Sequence, residues 1–169
     1  KEHRDFLRDN IFLGKFIMIP PVPFNFFSNH KQDTKEKPSL FFAGPITNEH
    51  GELMAALILE LDPLKEFTLI VQSGRLGKTG ETYIFNHQGF FLTESRFNKE
   101  LQEIGLINPK QNSILNIRIS DPGVRLTKNN FNQVNFENLD LTLMTQKAIS
   151  GNNGSNILGY RDYRGITVV

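Results

Sequence analysis

The chain has no cysteine and no tryptophan. Without cysteine, zinc ribbons, thiol catalysis and disulfide scaffolds are excluded. Its 19 basic and 18 acidic residues leave a net charge of +1. That balance lacks the basic excess of a nucleic-acid binder, so no nucleic-acid partner is expected. No run approaches the roughly 20 apolar residues of a membrane span. The richest stretch, 11–24, is broken by Lys15 and three prolines. Four histidines lie scattered at His3, His30, His50 and His87 without metal-ligand spacing, so no metal site and no cofactor is expected.

What is present reads as a globular α+β chain of 169 residues, 38% hydrophobic and 22% charged, long enough to bury a core unaided. Neither end shows a signal or targeting pattern, and the sequence stops inside a β-branched run, Ile166-Thr-Val-Val169. It is therefore expected to be an excised piece of a longer protein.

Residues 1–10 read as the end of a helix. Residues 11–27 are apolar and aromatic, but Pro20, Pro21 and Pro23 forbid a helix or a central strand. With Phe12, Phe16, Phe24, Phe26 and Phe27 they offer either core or a preformed apolar wall for a small ligand. Residues 39–46 predict a strand, 47–51 a turn, and 53–61 a return strand, although helix propensity competes there. Asp62-Pro63 opens a short helix over 64–71. Residues 81–86 and 90–93 predict a hairpin, 97–104 a helix capped by Gly105, and 114–119 a strand. Residues 139–149 predict an amphipathic helix closed by Gly151, and 157–169 a last hairpin turning at 162–165.

A weak repeat runs through this pattern. Gly77-Lys-Thr-Gly80 leads to Tyr83 and a turn ending at Gly89. Gly151-Asn-Asn-Gly154 leads to Tyr160 and a turn ending at Gly165. Two tandem α+β units of one design are expected.

Catalytic signatures are thin. Gly77-Lys78-Thr79 lacks the upstream glycine of a phosphate loop, the position being Gln72, and a strand rather than a helix is expected after it. Glu81 and Glu94 flank a hairpin, and Glu60 and Asp62 end a strand, but no nucleophile motif joins them. No enzymatic activity is expected. Ser95-Arg96-Phe97 reads as a helix start, with Arg96 pairing Glu100, or as an arginine clamp for an anion. In Tyr160-Arg-Asp-Tyr-Arg-Gly165, Arg161 and Asp162 can neutralise each other, or arginine can stack on tyrosine.

Leu76-Gly-Lys-Thr-Gly-Glu-Thr-Tyr-Ile-Phe-Asn-His-Gln-Gly-Phe-Phe-Leu-Thr-Glu-Ser-Arg-Phe97 resembles the signature of double-Cache sensor domains, the extracytoplasmic PAS-like modules of bacterial receptors. Phe41-Phe-Ala-Gly-Pro-Ile46, followed by Gly51 and residues 53–63, looks like the preceding hairpin of such a module. Gly159-Tyr-Arg-Asp-Tyr-Arg-Gly-Ile-Thr-Val-Val169 is similar to the hairpin of the second, membrane-proximal module.

The resemblance implies tandem PAS-like modules with antiparallel sheets. Residues 1–105 would hold the end of a long helix and the membrane-distal module, and 106–169 an incomplete proximal one. It implies an extracytoplasmic (periplasmic) small-molecule sensing domain of a bacterial signal-transduction receptor. Flanking helices would anchor the parent in the cytoplasmic membrane, with a cyclase, kinase or related output outside this piece. A homodimer and an unidentified small-molecule ligand are the expected partners. Amino-acid-binding members carry an arginine and tryptophan pair that this chain lacks, so an apolar or aromatic ligand suits it better. Glu60 falls where their acidic ligand residue lies. The ligand-binding candidates are Phe16, Pro21, Phe24, Phe26, Glu60 and Tyr83. The alternative is a ligand-free module that sets dimer geometry or contacts a periplasmic protein.

Overall fold

A computed structural model describes residues 2–23, 37–75 and 77–169. The chain is α+β and parts into two compact units, 1–67 and 68–169. The division lies at Phe67/Thr68, not at the expected 105/106. One core spans the expected boundary: Phe91 and Leu101 pack in the same cluster as Ile107, Ile117, Ile119 and Tyr163.

In the first unit, helix α1 (Glu2–Phe12) covers one face of an antiparallel sheet ordered β1 (Ile17–Pro23), β2 (Pro38–Thr47), β3 (Leu53–Leu61). The prolines behave as their missing amide demands. β1 is an edge strand, and its pairing to β2 breaks between Ile19 and Val22, where Pro20 and Pro21 sit. The β2–β3 hairpin forms as expected, turning through Gly51 at φ 80°. Alternation sorts the side chains into two sets. Ile17, Ile19, Phe41 and Ala43 share the face that Leu7 packs against, and Leu7 and Ile11 lie one helical turn apart. Met18, Phe42, Leu57 and Leu59 share the opposite face and stay exposed. Phe24, Phe26, Phe27 and His30 fall outside the described residues.

The second unit has little regular strand. Helix α2 (Phe67–Gln72) begins at the division, α3 is Asn98–Ile104 and α4 is Leu143–Ile149, and β4 (Tyr160–Arg161) pairs with β5 (Thr167–Val168). The hairpin expected over 81–93 forms in short, irregular form: Phe85 bridges Phe91, the Asn86 amide donates to the Phe90 carbonyl at 3.0 Å and the Leu92 amide to the Ile84 carbonyl at 2.8 Å. Side chains take the place of ladder partners there: the Ile84 amide donates to Thr93 Oγ1 at 3.0 Å, and the Phe90 amide to Asn86 Oδ1 at 2.9 Å. The strand expected over 114–119 begins instead as a turn. The Asn116 and Ile117 amides both fold back to the Ser113 carbonyl, at 3.1 Å each. Beyond it, the Ile119 amide donates to the Gly89 carbonyl at 2.8 Å. Helix α3 ends at Gly105 in the left-handed conformation, as the sequence predicts. Helix α4 starts later than expected, after Thr142, because residues 140–142 are paired to 119–121.

Both copies of the repeat lie in this second unit, and they meet. Tyr83 and Phe91 from the first copy contact Tyr163 from the second at ring-centroid distances of 6.2 and 4.9 Å, both edge-on. The repeat therefore builds two halves of one core rather than one hairpin in each of two modules. Edge-to-face packing of this kind adds about 0.5–1.5 kcal/mol per pair beyond area burial.

Candidate functional site

Among the described residues of the first unit, the expected ligand residues Phe16 and Glu60 do not share a face. Phe16 is 83% exposed and reaches over Gly44, where even a Cβ would collide with its ring. It lines an apolar hollow of about 470 Å³ with Met18, Phe42, Leu57 and Leu59. Glu60 is paired with Phe41, on the helix-covered face, and accepts a hydrogen bond from Ser39 Oγ at 2.6 Å. Period-two alternation thus puts Phe16 and Glu60 on opposite faces of one sheet. Pro21 is buried at the register break. Phe24 and Phe26 lie outside the described residues. Tyr83 belongs to the second unit.

In that second unit a cavity of about 490 Å³ opens beside the terminal hairpin, with Glu81, Tyr83, Phe97, Tyr160, Asp162 and Arg164 among its walls. Its construction starts at the turn 162–165. The Gly165 amide closes on the Asp162 carbonyl at 2.9 Å, and Gly165 takes φ 75°. Asp162 fills its whole acceptor capacity with four donors. Oδ1 accepts from the amides of Arg164 and Ile166 at 2.9 and 3.0 Å. Oδ2 accepts from Arg164 Nε and Nη2 at 2.9 and 2.6 Å. The third guanidinium nitrogen, Nη1, reaches Glu100 at 3.3 Å. The guanidinium carbon lies 3.4 Å from the centroid of the Phe97 ring. Asp162 and Arg164 are both buried.

Tyr163 is wired in the opposite direction. Its hydroxyl donates to Glu81 Oε2 at 2.7 Å and lies 2.6 Å from Ser95 Oγ. Since the Tyr163 proton goes to the carboxylate, Ser95 donates to Tyr163. Ser95 Oγ in turn accepts from the Phe97 amide at 2.9 Å, just before α3. The other Glu81 oxygen accepts from the Arg96 amide at 2.7 Å. Burial pushes the Tyr163 hydroxyl well above the ordinary tyrosine range, and the Glu81 charge adds to it. Tyr83 is pushed the same way by burial, then by the neighbouring Tyr160 hydroxyl and the Glu81 and Asp162 charges. Both hydroxyls stay protonated donors at neutral pH.

Two expected ion pairs are exchanged. Arg96 does not pair with Glu100; its Nη2 donates to the Gly77 carbonyl at 3.2 Å, and Nη1 binds the Gly80 carbonyl. Arg161 does not neutralise Asp162; it pairs with Asp121 at 2.9 Å. Contact at i, i+4 or i, i+1 loses in both cases to partners placed by the chain's long-range fold. Sequence reasoning missed the pairing of Arg164 with Asp162 and Glu100. The signal for it is the Asp-x-Arg-Gly turn, whose aspartate can bond the amide two residues on. Among the described residues no group of His, Asp or Glu is placed to hold a metal ion, and no helix is long and apolar enough to cross a membrane.

Near this network, Arg75 Nε and Nη2 are buried without a hydrogen-bond partner among the described residues. Glu94 is held above the usual carboxylate range by burial, with Arg75 opposing. An acid whose folded pKa is raised binds protons more tightly in the folded state. Its contribution is favourable below the ordinary carboxylate pKa and is lost as pH rises through the folded value. Glu94→Gln should therefore gain stability relative to the parent chain as pH rises from about 4 to about 7. Urea titrations of both proteins across that range (about one pH unit apart) would show the two curves diverging. Parallel curves would mean that Glu94 is solvated as in the unfolded chain.

No protein-family model matches the chain, and no curated protein and no solved structure matches it either.

Proposed function

We propose that the chain is an extracytoplasmic small-molecule sensing domain of the double-Cache kind, from a bacterial transmembrane receptor whose output domain lies outside this sequence. The domain carries no catalysis of its own and works as a homodimer.

The observation that carries the reading is the second-unit cavity. Its walls come from both segments that resemble the family signature, and the terminal hairpin forms one of them. That hairpin is also tied to α3 through Arg164–Glu100 and to residue 126, whose amide donates to the Arg164 carbonyl at 2.9 Å. A ligand touching the hairpin would bias the position of every element wired to it. Its effect is bounded by its differential affinity for two arrangements, typically about 1–3 kcal/mol.

Native mass spectrometry of the chain, with a thermal-shift screen of small metabolites, tests this. A discrete adduct, or one compound raising the melting temperature by several degrees at saturating concentration, is the expected result. A bare mass and a flat screen would favour a second reading, a ligand-free module that sets dimer geometry or binds a periplasmic protein. One observation speaks for that version: both oxygens of Asp162 and of Glu81 already accept from the chain's own donors.

A further inference from the structure

The second copy of the repeat contains a reactive pair that the cavity does not use. Asn153–Gly154 is the only asparagine–glycine step in the chain, and the first copy has Thr79–Gly80 in its place. Residues 152–156 have no regular secondary structure, and Asn152, Asn153, Gly154 and Ser155 are all exposed. The loop is anchored upstream, where the Gly151 amide donates to the Ala148 carbonyl at 3.0 Å and the Asn152 amide to the Lys147 carbonyl at 2.9 Å. Among the described residues, neither the Asn153 carboxamide nor the Gly154 amide has a hydrogen-bond partner. A Cβ on Gly154 would meet nothing within 4 Å, so the space around its amide is open.

Asn112–Ser113 is the instructive contrast, an asparagine that also precedes a small residue. There the Ser113 amide donates to Asn98 Oδ1 at 2.8 Å, and Asn112 Oδ1 accepts from the Ile114 amide at 3.0 Å. Ser113 is fully buried. Both groups that would have to meet are held apart by other partners.

We propose that Asn153–Gly154 is a site of spontaneous backbone-assisted deamidation. The Gly154 amide nitrogen, deprotonated by hydroxide, attacks Asn153 Cγ. The N–Cγ bond forms, the Cγ–Nδ2 bond breaks, and ammonia leaves with a proton from water. Water then opens the cyclic imide. Cleavage at Cγ–N gives aspartate, and cleavage at the main-chain carbonyl gives isoaspartate, with the backbone rerouted through Cβ and Cγ. Water is the sole co-reactant and nothing is oxidised or reduced. The attack is intramolecular, so its rate depends on how freely the two groups reach each other. Glycine helps because it lacks a Cβ and samples backbone angles widely.

Either product lowers the formal net charge of +1 by one unit. The new carboxylate lies beside Lys147, which lines the same shallow hollow as Asn153. Isoaspartate also adds one carbon to the backbone between α4 and the terminal hairpin. The site is independent of the sensor reading.

Timed incubation of the whole chain, followed by proteolysis and mass spectrometry with fragmentation that tells isoaspartate from aspartate, tests it. A synthetic peptide of residues 149–157 serves as the unrestrained reference. The Asn153 peptide should gain about 1 Da as both products, after an intermediate about 17 Da lighter than the parent. Its rate should lie within about threefold of the synthetic peptide's rate, because nothing holds the loop. The rate should rise roughly five- to tenfold from pH about 7 to about 8, since the amide must lose its proton. Asn112 should stay unchanged over the same interval. Gly154→Ala should slow the reaction about tenfold, and its urea midpoint should match the parent's, because the added Cβ meets nothing.

An Asn153 rate more than about tenfold below that of the peptide would overturn the proposal, because the fold would then restrain the loop. Aspartate without isoaspartate would overturn it as well, by showing direct hydrolysis without the imide. So would Asn112 reacting as fast as Asn153, or a folded Gly154→Ala chain reacting at the parent rate. The peptide comparison decides the matter on the parent chain alone if that variant does not fold.

Discussion

Gly165→Ala should abolish cooperative folding of the second unit, whereas Gly123→Ala should cost only about 1 kcal/mol. The two glycines share the same backbone conformation, φ 75° in each. An alanine is strained equally at both, so conformation alone cannot separate them. Space does. A Cβ on Gly123 meets nothing within 4 Å. On Gly165 it would overlap the Val124 carbonyl group and stand 2.9 Å from Arg125 Cα. Those are backbone atoms, which cannot rotate away as a side chain can. Relief requires the terminal hairpin to move off residues 124–126, breaking the hydrogen bond from the Leu126 amide to the Arg164 carbonyl. The same displacement would pull Arg164 from Phe97 and Glu100. A loss above about 4 kcal/mol is expected, a large share of the stability of a domain. Urea unfolding followed by far-ultraviolet circular dichroism measures both variants. A Gly165→Ala cost within about 1 kcal/mol of the Gly123→Ala cost would mean that the hairpin does not lie against residues 124–126.

Much of the first unit was legible in the sequence because its signals are local. Pro20, Pro21 and Pro23 exclude a central strand wherever they occur, and β1 is an edge strand broken at two of them. The β2–β3 hairpin follows from a turn with Gly51 between two apolar runs. The second unit was less legible because its backbone groups bond side chains. Thr93 Oγ1, Asn86 Oδ1 and Thr68 Oγ1 each take an amide that a regular ladder would have paired. Alternation of apolar residues does not reveal such substitutions. The repeat misled for a related reason. Similar short motifs signal similar local turns, but whether two turns sit in separate cores or share one depends on contacts between residues as distant as Glu81 and Tyr163. The site residues followed the same division. Glu81, Ser95, Arg96, Tyr160 and Asp162 stood out by type and position. The partners of the arginines did not, since each plausible near neighbour of Arg96 and Arg161 was displaced by a remote one. Phe16 and Glu60 show the complementary failure: sheet register assigns them to opposite faces, and register is fixed by pairing rather than by either strand alone.

Arg164→Met should destabilise the second unit by about 3–5 kcal/mol, the usual cost of leaving one partner of a buried ion pair behind. Methionine nearly fills the volume and keeps an apolar contact to Phe97, so the loss isolates the guanidinium. Asp162 would keep its two amide donors and lose both donors to Oδ2, while remaining buried at 5% exposure. Lysine should rescue little. An ammonium carries the charge but not the planar fork that supplies Nε and Nη2 to one oxygen, nor the flat face that stacks on Phe97. The decisive comparison is a double-mutant cycle. Asp162→Asn with Arg164→Met removes the stranded charge and keeps an oxygen for the Arg164 and Ile166 amides. The double variant should therefore be less damaged than the sum of the single ones, with a coupling of at least about 2 kcal/mol. Urea titrations of the parent chain, the two single variants and the double variant complete the cycle. Additive losses would show that Asp162 and Arg164 act separately, and that the turn is held by its backbone hydrogen bonds alone.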